Sequence, residues 1–138
     1  GGEPVRVREA VRPLYHAALA HGSNHLVTRV VDAVEALRVA LEGQELMGQE
    51  LVGDDPNGLP ERVLQPLLSA ALDNALRRGQ SALTGPVARG DAAAVAKHLE
   101  VLEDVDPDLA AGYRALSLRT AQCTGAKPEL MEVLEDRG

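Results

Sequence analysis

Ala82-Leu83-Thr84-Gly85-Pro86-Val87-Ala88-Arg89-Gly90-Asp91 decides the fold. Gly85 permits a tight turn, and Pro86 fixes the chain direction after it. Gly90-Asp91 opens a new helix, with Asp91 as its N-cap. The stretch is therefore a corner between helices. Arg89 stands at the mouth of the second helix, where backbone N–H groups point outward. An arginine beside a helix N-terminus suits a carboxylate or phosphate. The alternative is a structural corner with a solvated arginine.

Helical patterns flank this corner on both sides. From about Glu9 to Glu42, Val27, Val30, Val31, Val34, Leu37 and Leu41 recur at three- and four-residue spacing. At 1.5 Å per residue this first helix is about 50 Å long, and Gly22-Ser23 is a pair of the kind that bends helices. Gly-Gln-Glu-Leu occurs at 43–46 and again at 48–51, an interval that fits neither helix nor strand. It predicts a frayed helix end running into a loop at 54–58, either a plain connector or a flap. A second helix starts near Pro60 and ends near Gly79, with a kink or a fresh start at Pro66. Val63, Leu67, Ala70, Ala71, Asn74 and Ala75 are its expected inner face. A third helix runs from Asp91 to about Glu103, with Val95, Leu99 and Leu102 inward. Asp106-Pro107 caps a fourth, which reaches about Cys123 with Leu109, Tyr113 and Leu116 on one stripe. Gly125 and Pro128 precede a short last helix ending at Leu134-Glu135.

The fold class is thus all-α, a bundle of about five helices with a long first helix. Residues 9–138 form one domain, because no interior linker is long or polar enough to divide them. The 138 residues suffice for a real core. That core must be Leu, Val and Ala, since the only aromatic side chains of the Phe, Trp and Tyr class are Tyr15 and Tyr113. A net charge of −7 argues against a nucleic-acid surface. No stretch is apolar enough to span a bilayer, and no signal-peptide pattern is present. The single Cys123 excludes an internal disulfide framework, and a cytoplasmic location is expected.

The corner also resembles a known family. Its run, continuing through Asp91-Ala92-Ala93-Ala94-Val95-Ala96-Lys97-His98-Leu99, is similar to the C-terminal domain of unknown function that follows a Rossmann-like domain in bacterial NAD(P)-dependent oxidoreductases. Tyr113-Arg114-Ala115-Leu116, Thr120, Tyr15-His16-Ala17-Ala18 and Ser23-Asn24 extend the likeness over nearly the whole chain. The resemblance implies a helical domain related to the C-terminal domains of 6-phosphogluconate dehydrogenase-like reductases. It implies that residues 1–8, which alternate like a short extended segment, are the end of an upstream Rossmann-like domain. NADP or NAD would bind to that domain, and this chain alone would hold no cofactor. It implies a homodimer and a small anionic carbonyl substrate, a 2-oxo acid of the ketopantoate kind.

Within that frame His16 and Asn24 are the candidate catalytic residues. About two helical turns separate them on nearly one face. An imidazole can protonate a carbonyl oxygen as hydride arrives, and an amide can orient that oxygen. Better-known relatives place a lysine on this helix, and here there is none. Ser23, Asn74, Thr84, Gly85 and Arg89 are the candidate substrate contacts. Asn74, on an apolar stripe, would brace the Thr84 loop or line the cleft. No metal is expected: His21 and His25 stand at i, i+4, but they lack a third ligand and read as exposed histidines. Lys97 reads as solvated and His98 as buried and structural. A competing reading is a helical self-association or regulatory module without chemistry. An enzyme domain would gather His16, Asn24 and Arg89 around one concavity. An interaction module would scatter them and expose a broad apolar patch.

Overall fold

The computed structural model describes residues 2, 4–46 and 58–135 and is all-helical over them. After an irregular segment and a 3-10 turn at Glu9–Val11 come α1 (Arg12–Leu46) and α2 (Leu59–Arg78). A second 3-10 turn at Gly79–Ala82 leads into α3 (Gly85–Arg89), α4 (Ala92–Val105), α5 (Pro107–Thr124) and α6 (Pro128–Glu135). The expected bundle is thus present, with α3 as one extra short turn inside the corner. The loop expected over 54–57 lies outside the described residues.

The core sits at the C-terminal end of the chain. Val87, Val95, Leu99, Ala121, Leu130 and Leu134 form it, with Tyr113, Leu118 and Met131 packed around them. α4 lies against α3, α5 and α6, so this unit closes on itself. Its helix starts follow the sequence rules. The Asp91 carboxylate accepts the Ala94 N–H at 3.0 Å, and Asp106 accepts the Asp108 N–H at 2.8 Å. Gly90 at φ +73° and Gly125 at φ +71° close α3 and α5 in the left-handed region that side chains avoid. Val95, Leu99 and Leu102 turn inward as their spacing predicts.

α1 and α2 depart from the expected packing. In α1, Val30, Val34, Leu37 and Leu41 are half-buried, but Val27 and Val31 remain 62% and 60% exposed. Between Arg12 and His25 every side chain is exposed except the half-buried Ala20. The helix passes through Gly22-Ser23 and packs on α2 and α4. α2 runs unbroken through Pro66, so no fresh helix starts there. Its inner face is Pro60, Leu64 and Leu68, not the expected Val63, Leu67, Ala70, Ala71 and Ala75, all of which are exposed. Only the N-terminal half of that side is covered, because Ala71 and Ala75 continue it and are exposed. In α5 the expected Leu116 is exposed, and the small residues Ala110, Ser117 and Ala121 are buried instead.

Candidate functional site

The first candidate constellation lies on the exposed half of α1. His16 is exposed and tilted against Tyr15, with ring centres 5.8 Å apart. Ser23 donates its hydroxyl to the Leu19 carbonyl at 2.7 Å, with Asn24 Oδ1 at 3.1 Å. That bond ties the hydroxyl to its own helix. His21 and His25 are exposed, as expected, but they are not independent. Their Nδ1 atoms are 2.8 Å apart and their rings are edge to face.

The second constellation is the corner itself. Thr84 is extended and exposed, and Gly85 enters α3 at φ +90°. Pro86 occupies the first turn, where the missing N–H costs nothing. Arg89 is exposed in the last turn of α3, and among the described residues it forms no ion pair. The neighbouring start of α4 already carries an anion, the Asp91 carboxylate. Lys127 drapes over the corner: a Cβ on Gly90 would stand 3.5 Å from its Cδ. Asn74 is half-buried on α2. Lys97 pairs with Glu100 at 3.0 Å on the solvated face.

A shallow cavity of about 370 Å³ opens where the N-terminal segment meets α1. Arg6, Arg8, Leu14 and Tyr15 are among its walls. None of His16, Ser23, Asn24, Asn74, Thr84, Gly85 and Arg89 lines it.

One polar cluster escaped the sequence reading. His98 on α4 is exposed, not buried, and its Nδ1 lies 2.9 Å from the Tyr113 hydroxyl on α5. Burial pushes the Tyr113 phenol above its usual pKa, and a hydrogen bond with the buried Ser117 works the other way. Fifteen residues separate His98 from Tyr113, so only the α4–α5 packing brings them together. Nearby, Arg114 donates to the Val133 and Leu134 carbonyls at 2.9 and 3.0 Å and pins the end of α6.

The surface is strongly apolar over α1 and α2. Leu14 is 73% exposed and Leu76 80%, with Leu19, Val27, Val31, Val63, Leu67 and Leu72 also outside. Among the described residues no three potential ligands cluster for a metal, and no helix is long and apolar enough to cross a membrane.

A family model described as Domain of unknown function (DUF2520) matches residues 1–120. The match stops short of α6, so Leu130 and Leu134 lie outside it. No curated protein and no solved structure matches the chain.

Proposed function

The chain belongs to the DUF2520 family, and on that premise we propose that it is the helical dimerisation and substrate-side domain of a two-domain NAD(P)-dependent reductase. Self-association is the part of this role that its own surface supports best. The observation that carries it is the number of large apolar side chains that α1 and α2 leave uncovered, with Leu14, Leu67 and Leu76 largely in water. A second copy is the simplest partner, since most soluble oligomers are symmetric homo-oligomers. Sedimentation velocity tests this: a dimer is expected at micromolar concentration, and Leu76→Glu with Leu67→Glu should weaken it at least roughly tenfold, the effect of about 1.4 kcal/mol. A chain that stays monomeric at high concentration defeats the self-association reading.

The substrate side of the proposal rests on the exposed groups His16, Asn24 and Arg89 together with the family resemblance. These groups lie outside the described cavity, so the site would be completed by the upstream domain closing over them. NADPH or NADH would bind to that upstream domain, and a small 2-oxo acid would present its carboxylate to Arg89. In the longer protein, Arg89→Ala should then raise KM for such an acid with little change in kcat. Saturable NADPH binding by the longer protein but not by this chain supports the reductase reading. A folded longer protein that binds no dinucleotide leaves only the association module.

A further inference from the structure

We propose that His21 and His25 form an open chelate for a divalent transition-metal ion on α1. The assignment does not depend on the reductase reading. Residues four apart on a helix face each other, and here the helix is continuous across both. Their Nδ1 atoms stand 2.8 Å apart. Two ligands about 2.0 Å from one ion and at right angles around it are themselves about 2.8 Å apart, whereas tetrahedral ligands are roughly 3.3 Å apart. The observed spacing is set by the hydrogen bond between the rings, and it brings both nitrogens within reach of one ion such as Ni²⁺.

The surroundings leave room for the ion. A Cβ added at Gly22 would meet nothing within 4 Å. Both rings are exposed, so a hydrated ion keeps most of its waters when it binds. Two waters leave the ion and two imidazole nitrogens replace them. The hydrogen shared between the Nδ1 atoms moves to the outer Nε2 of its own ring, so two neutral rings coordinate without net proton release. The remaining positions hold water or a donor from another molecule, since no third protein ligand stands near among the described residues.

The test is calorimetric titration of the untagged 138-residue chain with Ni²⁺. Saturable binding is expected, with one ion per chain, or one per two chains where a second pair completes the shell. His21→Ala and His25→Ala should each weaken it by roughly tenfold or more, because the second ligand of a chelate acts at high effective concentration. His16→Ala and His98→Ala should leave it unchanged. All four substitutions are at exposed positions, and circular dichroism verifies that each variant is folded. No saturation by about 1 mM, a limit of about 4 kcal/mol, overturns the proposal. So does binding that survives in both His21→Ala and His25→Ala.

Discussion

Gly90 is the residue on which the corner turns. Its φ of +73° is open to glycine, and any side chain there pays for the left-handed conformation. Gly90→Ala should destabilise the fold by about 1–2 kcal/mol in urea unfolding, with Lys127 displaced slightly. An unchanged midpoint would mean that the backbone relaxes at no cost. Tyr113 makes a different prediction. Its folded pKa is raised, so its contribution to stability is complete below the unfolded value of 10.0 and fades as pH rises toward the folded value. Absorbance at 295 nm should show a tyrosine ionising above 10.0 that disappears in Tyr113→Phe. The alkaline loss of stability should shrink in that variant. Arg114→Met should speed amide exchange in α6, because the Val133 and Leu134 carbonyls lose a charged donor that contributes about 1.5–3 kcal/mol. Exchange rates in α6 equal to those of the parent chain would show that the docking needs no clamp.

Among the elements, those with both partners inside the chain were the legible ones. α4 shows why: Asp91 caps it, Val95 and Leu99 recur at helical spacing, and α5 and α6 bury them. Hydropathy pattern and tertiary contact agree there. In α5 they diverge. Leu109 and Tyr113 are half-buried as expected, but Leu116 is left outside, and Ser117 and Ala121 are buried because small side chains let helices approach. α2 diverges for another reason. Apolar side chains lie on several sides of it, and the chain itself covers only the patch of Pro60, Leu64 and Leu68. Periodicity cannot tell a face covered from within from one left open. The candidate site has the same history. The caps, the corner glycines and the exposed histidines could be read locally, from bonds within one helix. The His98–Tyr113 contact could not, because it exists only where α4 meets α5.

Over the whole molecule, burial is graded from the C-terminal unit to the first helix. The unit of α3 to α6 holds six buried core side chains in mutual contact. The first turns of α1, from Arg12 to His25, have almost nothing packed on them. Those turns amount to about 14 residues, the length at which a helix in water is only marginally stable on its own. They extend a longer helix and need no nucleus of their own, but a partner that covered them would strengthen their helicity. If a second copy supplies that cover, secondary structure becomes a function of protein concentration: ellipticity per residue at 222 nm should deepen as the chain is concentrated and flatten out where association is complete. An invariant ellipticity across an observed monomer–dimer transition would show that α1 holds its first turns unaided. Covered in that way, the exposed stretch from Arg12 to His25 would turn dilution itself into a mild denaturant, acting on one helix and sparing the core.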